Sequence, residues 1–411
     1  MSAQTMKPKL LIIGLGMASM RLLDELVKSQ ATQHYAIEVL SGESTAGYNR
    51  IMLSYLLSGE KTLDNITSHN QVWFDQQGIK VRFGCKVVSL DTQSCCLTTH
   101  DGEVLDYDQC VIATGSQAQR LAIAGVDLAE VHCFRDGSDA ATLQQLDSSD
   151  RRPVIVIGAG LLGLEAAYGL AMQGHQVTVV HRSDRILSQQ LDFNAGQQLQ
   201  KSLQKQGINF VLNRQLDEIQ GAQQVTAVRL NRGEVIEAKA VVMAVGIAPN
   251  TTLAKQAGLV VNRGIWVDGW MQTSAKQVFA LGECCEFEHQ TFGLVAPIYR
   301  QASVLAKTLC GLQNPPFVHQ ANATRLKVSG VEVFSFGEPN QQGDHLVFQD
   351  PTQGIYRKLV LVEGRIASAI LLGNTQDANW LFELHQQQTP ISEQQRSALL
   401  FGQAYFERIA A

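Results

Sequence analysis

The stretch Val154-Ile155-Val156-Ile157-Gly158-Ala159-Gly160-Leu161-Leu162-Gly163 decides the fold. Four branched apolar residues in a row read as a strand buried on both faces. The glycines that follow, at G-x-G-x-x-G spacing, read as a tight turn opening a helix. The first glycine permits the turn, the second lets the backbone approach a pyrophosphate, and the third lets the helix pack on the strand. A small-residue helix from Leu161 to Met172, a stop at Gly174 and a strand from Gln176 to Val180 complete a strand, turn, helix, strand unit.

Working outward, the same object occurs once more. Leu10-Leu11-Ile12-Ile13-Gly14-Leu15-Gly16-Met17-Ala18-Ser19 is an apolar strand running into the same turn, with Ser19 where the third glycine stands in the other copy. Met20, Leu23 and Val27 recur at helical spacing and a strand from Ala36 to Leu40 follows. The first glycines, Gly14 and Gly158, are 144 residues apart. A lone glycine turn is a weak signal, but two in matching context predict two dinucleotide-binding units, each offering a helix N-terminus to phosphates.

The end of each unit's second strand bears on which nucleotide it takes. In the first, Ser41-Gly42-Glu43 supplies a carboxylate suited to the ribose of an adenosine half. In the second, His181 stands at that place, followed by Arg182 and later Arg185. No carboxylate is there to select the free 2′-hydroxyl of NADH. Arg182 suits the 2′-phosphate of NADPH and equally suits a solvated surface, so the sequence leaves NADH or NADPH open.

Composition sets the bounds. At 411 residues, with 45% hydrophobic and 17% charged residues, the chain is globular and, at roughly 100 to 200 residues per domain, holds several domains. The net charge of −5 and scattered cations argue against nucleic acid. Eight cysteines without a C-x-x-C pair predict a reduced, cytoplasmic protein without a metal site. Lys7 and Lys9 before the apolar run Leu10 to Met20 imitate an export signal, but Gly14 and Gly16 interrupt it and Arg21, Asp24 and Glu25 follow, so a buried strand and turn explain it better. No stretch approaches the ~20 apolar residues of a membrane span.

Further segments carry a resemblance. Ala113-Thr114-Gly115-Ser116, Val245-Gly246-Ile247-Ala248-Pro249-Asn250 and Val278-Phe279-Ala280-Leu281-Gly282-Glu283 resemble the A-T-G-S, V-G-x-x-P-N and A-x-G-D segments of the glutathione-reductase superfamily of FAD/NAD(P)H oxidoreductases. Tyr48-Asn49-Arg50-Ile51-Met52-Leu53-Ser54, Gln190-Leu191-Asp192, Phe292-Gly293-Leu294-Val295-Ala296-Pro297 and Thr324-Arg325-Leu326-Lys327-Val328-Ser329-Gly330-Val331 are similar to the flavin module of NAD(P)H nitrite reductase and of the electron-transfer subunit of assimilatory nitrate reductase. Rubredoxin reductases are more distant. The departures are Ser19 in the first turn and Ala248 where these relatives carry arginine. The full nitrite reductase subunit also continues into iron–sulfur and sirohaem segments, whereas this sequence stops at Ala411, which leads to the expectation that the terminal catalyst is on another polypeptide.

The resemblance implies an α/β fold with two Rossmann-like domains and a C-terminal α+β domain. The expected boundaries are 7–122 with 247–314 for a discontinuous FAD domain, 123–246 for the NAD(P)H domain and 317–411 for the third, after Pro315-Pro316. It implies FAD on Gly14, Gly16, Ser19, Ser41, Gly42, Glu43, Arg50, Val87, Ala113, Thr114, Gly115, Gly282, Glu283, Val295 and Arg325. It implies NADH or NADPH on Gly158, Gly160, Gly163, Glu165, His181, Arg182 and Gly246. Arg50 is expected over the flavin edge, with a surface turn as the alternative. Glu165 is expected to position a cofactor ring, with a carboxylate complementing the helix dipole as the alternative, and Arg325 or Lys327 to reach the flavin or lie in solvent. Ser44 to Glu60 lack the cysteines of disulfide reductases, and the vicinal pairs Cys95-Cys96 and Cys284-Cys285 read as packing before redox. With a two-electron donor, a flavin and no internal dithiol, the chain is expected to pass electrons to a redox-protein acceptor, whether iron–sulfur, rubredoxin-like, sirohaem or molybdenum. The third domain would face that partner or, in a homodimer, a second subunit. The rivals are a rubredoxin or ferredoxin reductase and, from another class, a flavin-bearing redox sensor or scaffold.

Overall fold

In a computed structural model, described for residues 7–328 and 330–410, both apolar tetrads are central strands. Contacts divide the chain into two units, each interrupted in sequence. The first holds the residues up to Met52, Thr62–Gln117 and Ile247–Gln320. Its five-stranded sheet has the order Val278–Ala280, Gln109–Ile112, Lys9–Ile13, Ala36–Leu40, Lys80–Arg82. Every neighbouring pair is parallel. Leu10, Leu11, Ile12 and Ile13 are all buried, as an all-apolar strand in a sheet covered on both faces must be. The helices Met17–Lys28 and Val295–Leu309 pack together. Of the signal-like run, Leu10–Ile13 is sheet core and Met17–Met20 begins the first of these helices. No helix among the described residues is long and apolar enough to cross a membrane.

The second unit comprises Leu53–Lys61, Ala118–Gly246 and the residues from Ala321 onward. Its parallel sheet repeats the first, in the order Val131–Cys133, Ala240–Met243, Val154–Ile157, Val177–His181, Ile208–Leu212. The excursion Leu53–Leu57 buries Leu53 and Leu57 and packs on the helix Leu161–Met172, where Gly169 makes room: a Cβ there would lie 2.8 Å from Leu57 Cγ. The break between units therefore falls after Gln117, five residues before the expected boundary, and residues 53–61 leave the segment expected to be all FAD domain.

The C-terminal part is an antiparallel sheet ordered Ala323–Val328, Val331–Phe336, Arg365–Leu372, Ile355–Val362, Asp344–Asp350. Phe334, Phe336, Leu359, Leu371, Leu381 and Leu399 form its core. The helical end is more broken than the sequence suggests. Helix Ala378–Gln386 is followed by the short turns Glu393–Arg396 and Ser397–Leu400 and then by helix Gln403–Ala410. Gly402 causes the break: its φ is +98°, and a Cβ would lie 2.7 Å from Asp377 Oδ2.

This sheet belongs to the second unit, and one buried cluster ties it to the parallel sheet's part of that unit. Asp192 Oδ1 accepts the Ala195 N–H at the start of helix Phe193–Gln204, at 3.0 Å. Its Oδ2 accepts from Tyr356 Oη at 2.7 Å and from Lys358 Nζ at 3.0 Å, both on strand Ile355–Val362. Burial, and then this hydrogen bond, push the Tyr356 phenol up.

Candidate functional site: two glycine cradles

The first cradle is built on the strand Lys9–Ile13. Gly14 donates its N–H to Leu40 O at 2.8 Å and has φ +103°; a Cβ there would meet Ala113 O at 2.4 Å. Only glycine fits so close an approach. Gly16 is the N-cap of helix Met17–Lys28 and offers no capping side chain, and nothing lies within 4 Å of where its Cβ would be. The helix end is thus open to an anion. Ser19, fully buried, donates to Gly14 O at 2.6 Å and so holds the turn that a third glycine would otherwise close by contact.

The other FAD-motif segments converge on this turn. Thr114 Oγ1 donates to Asn250 O at 3.0 Å, while Asn250 Nδ2 donates to Thr114 O at 2.8 Å and its N–H to Gly115 O at 3.0 Å. Two segments more than 130 residues apart in sequence are clasped by one asparagine. Ser116 Oγ donates to Glu283 Oε2 at 2.8 Å. Gly282, at φ +88°, abuts the first helix, since a Cβ there would lie 2.9 Å from Ala18 Cβ. Its N–H is accepted by Gln301 Oε1 at 3.0 Å. Gln301 is fully buried and its Nε2 has no hydrogen-bond partner among the described residues. Val295 opens the helix that carries Gln301, and Val87 opens an antiparallel strand packed in the same core.

Arg50 reaches the end of the second strand. Its guanidinium pairs with Glu43 and sits 5.1 Å from the Tyr48 ring centroid, and Tyr48 Oη donates to Glu43 Oε2 at 2.9 Å. Ser41 and Glu43 close a local turn through Ser41 Oγ and the Glu43 N–H at 3.2 Å, with Gly42 between them. The arginine thus partners the carboxylate at the end of the second strand, the adenosine end of such a unit. Cys284 and Cys285 are fully buried and free. Cys284 Sγ points to Leu281 O at 3.3 Å and Cys285 Sγ to Gly282 O at 3.2 Å. Burial raises the Cys284 thiol to about 11, so the pair packs as small apolar side chains.

The second cradle repeats the first. Gly158 donates to Val180 O at 2.8 Å, has φ +110°, and would clash at 2.3 Å with Ala244 O. Gly160 caps helix Leu161–Met172 with open space about it, and Gly163 packs on the turn, a Cβ falling 2.0 Å from Gly158 O. Gly246 has φ +127° and its carbonyl accepts the Gln119 N–H at 2.9 Å. His181 ends the second strand with its Nδ1 accepting the Ala159 N–H at 3.2 Å, and Arg182 is exposed. Glu165, on the first helix turns, has no hydrogen-bond or ion-pair partner among the described residues, and burial pushes its carboxyl up to about 7. Arg325 donates to Asn379 Oδ1 at 2.9 Å and lies over the Phe334 ring, lining an open polar cavity of about 570 Å³ in the C-terminal part. The Lys327 side chain and Ser329 lie outside the described residues.

Comparison with known proteins fits these cradles. Residues 8–307 match the pyridine nucleotide-disulphide oxidoreductase family. The chain belongs to that family. Residues 323–389 match the rubredoxin NAD+ reductase C-terminal domain. A nitrite reductase [NAD(P)H] of Bacillus subtilis is 40% identical over 396 residues, 96% of this chain and 49% of that protein. The assimilatory nitrate reductase electron transfer subunit of the same organism is 37% identical over 388 residues, 94% and 50% of the two chains. The chain thus spans about half the length of these curated relatives. Among solved structures, a ferredoxin reductase from Rhodopseudomonas palustris superposes with a TM-score of 0.87 at 23% identity, covering 98% of this chain and 100% of the other, which shows a shared fold.

The cofactors are FAD and NAD(P)H, and the residues present fit them. Each turn has an uncapped helix N-terminus with open space above its second glycine. The first cradle adds the carboxylates Glu43 and Glu283 and the Gln301 Nε2, which has no partner among the described residues, and the second adds His181. The motifs pointed to most of these positions. Sequence reasoning missed the work of Tyr48, Ser116, Asn250 and Gln301. The first three sat inside quoted motifs, whereas nothing in the sequence marked Gln301.

Proposed function

We propose that this chain is the reductase module of a nitrite- or nitrate-reducing system, taking electrons from NAD(P)H and passing them to a redox-protein partner. The observation that carries the reading is the pair of glycine cradles in a chain whose cysteines are all free, with the Cys284-Cys285 pair buried. Such a chain has a two-electron entry, no cysteine in Ser44 to Glu60 where disulfide reductases carry theirs, and a Cys284-Cys285 pair that burial keeps as thiols. When bound, FAD accepts a hydride from the nicotinamide and can release the electrons singly.

The chain's own residues bind and orient. The open helix ends at Gly16 and Gly160 receive the two pyrophosphates. Glu43, steadied by Tyr48 and Arg50, accepts from an adenosine ribose, and Glu283, steadied by Ser116, accepts from the flavin's ribityl chain. Glu165 holds a proton below about pH 7 and so adds little repulsion when a phosphate-bearing cofactor enters the second cradle. Free cysteines also support a cytoplasmic setting.

Stopped-flow mixing with NADH and NADPH, followed by addition of a nitrite reductase catalytic subunit, tests the reading. Flavin bleaching slower than about 1 s⁻¹, below usual enzyme turnover, would remove any reductase, the sensor or scaffold reading then standing. A second reading, a rubredoxin or ferredoxin reductase, is favoured by the C-terminal domain match. Faster reduction of a rubredoxin than of the nitrite reductase subunit would select it.

A further inference from the structure

Gln301 is a polar side chain at a place that packing alone would give to an apolar one. It stands in the second turn of helix Val295–Leu309, fully buried, on a helix whose other buried residues are all apolar. A buried amide with an empty hydrogen-bonding end costs stability, and Nε2 has no partner among the described residues. What the position gains lies at the other end, where Oε1 accepts the Gly282 N–H at 3.0 Å. The amide cannot be turned over, because that would set its N–H groups against the N–H of Gly282.

Gly282 is the point at which the chain leaves its sheet. Leu281 still donates to Ile112 O at 3.1 Å, continuing the pairing of strand Val278–Ala280, and the next residue turns away at φ +88° into the short turn Gly282–Cys284. A buried N–H at such a departure has lost its ladder partner and needs another acceptor. Gln301 supplies it from a separate element. The Gly282 carbonyl is held as well, accepting from the Cys285 thiol at 3.2 Å. With both polar groups of this residue fixed, the course of the chain into Glu283 is fixed too, and Glu283 Oε2 accepts from Ser116 Oγ at 2.8 Å. The helix that carries Gln301 also packs on helix Met17–Lys28, which opens at the first glycine cradle. One hydrogen bond thus joins the helix packed on the cradle to the turn that bears the carboxylate.

Resting on the reading that Glu283 accepts from FAD, we propose that Gln301 is a positioning residue for flavin binding, its Oε1 holding the Gly282 turn so that Glu283 is in place before the cofactor enters. It acts through Glu283 and does not touch the flavin. When the acceptor is removed, the Gly282 N–H must seek another partner, the fraction of molecules with Glu283 in place falls, and the apparent Kd rises as the inverse of that fraction.

FAD release from the flavin-loaded full chain over a dilution series, read as recovered flavin fluorescence, tests this in a double-mutant cycle. Gln301→Met, which keeps an unbranched side chain of similar length and removes the acceptor, should raise the FAD Kd about tenfold, the scale of one buried hydrogen bond. Gln301→Leu should do the same, and serves where methionine does not fold. In the Glu283→Ala background either substitution should change Kd by less than about twofold, because the side chain that Gln301 positions is gone. A merely structural residue would weaken binding equally in both backgrounds. Gln301→Glu, which keeps an acceptor oxygen within reach of the Gly282 N–H, should stay within about threefold of wild type. If Glu283→Ala weakens binding but the apolar Gln301 variants bind as wild type does, or lose as much without Glu283 as with it, the Gln301 inference is overturned and the Glu283 reading stands. If Glu283→Ala itself binds FAD as wild type does, the reading falls and takes the inference with it.

Discussion

Replacing Lys358 by methionine keeps most of the side chain's volume and removes the cation, with its hydrogen bonds to Asp192 Oδ2 at 3.0 Å and Pro339 O at 3.3 Å, from inside the second unit. Both Lys358 and Asp192 side chains are 9% exposed, too little for water to take over the lost contact. In Lys358→Met, Asp192 keeps the Tyr356 hydroxyl and the Ala195 N–H but has no cation. Removing one partner of a buried pair costs about 3–5 kcal/mol, and the two surviving hydrogen bonds place this case at the lower end, about 3 kcal/mol. Strand Ile355–Val362 and the start of helix Phe193–Gln204 should then open more readily by about a hundredfold. Hydrogen-exchange mass spectrometry of peptides covering these segments reads that ratio directly. Adding Asp192→Asn should restore most of the loss, because an asparagine still caps the helix and no unpaired charge remains. Exchange within about threefold of wild type in the single variant, or a double variant as labile as the single, would refute the reasoning.

Two other outcomes are expected. Glu283→Ala removes the carboxylate held by Ser116 and should raise the FAD Kd roughly ten- to hundredfold; fully yellow protein after dialysis would count against the first cradle. Glu165 has a folded pKa raised from 4.5 to about 7 by burial. Its contribution is therefore fully present below pH 4.5 and is lost as pH rises through about 7. Urea denaturation of the cofactor-free protein should show Glu165→Gln gaining on wild type across that window, and parallel pH profiles would dismiss a buried neutral carboxyl.

Both nucleotide-binding units were legible because their signals are local. A four-residue apolar strand next to glycines at fixed spacing admits one backbone path, and the structure shows why: Gly14 and Gly158 sit against the carbonyls of Ala113 and Ala244. What stayed hidden depends on long-range contacts. Nothing near Gln301 in sequence says that its amide meets Gly282. Arg50 carries a charge but no direction, and only the return of the chain to Glu43 gives it one. The excursion of residues 53–61 into the second unit is set by a missing side chain at Gly169, more than 100 residues away. His181 was visible as a missing carboxylate, yet its tautomer required the turn N–H.

The order of synthesis gives the first sheet's layout a further consequence. Strand Gln109–Ile112 pairs on one side with Val278–Ala280, which leaves the ribosome some 165 residues later. At roughly 5–20 residues per second that delay is about 8–30 s, during which Cys110, Val111 and Ile112 form an uncovered, fully apolar sheet edge of the kind that invites pairing with another chain. Glu283 follows that strand, so the nascent chain cannot complete its flavin cradle before the whole nicotinamide unit has emerged. Nascent chains are therefore most exposed to aggregation in this interval, and this is where a chaperone or early FAD capture would raise the yield of folded protein.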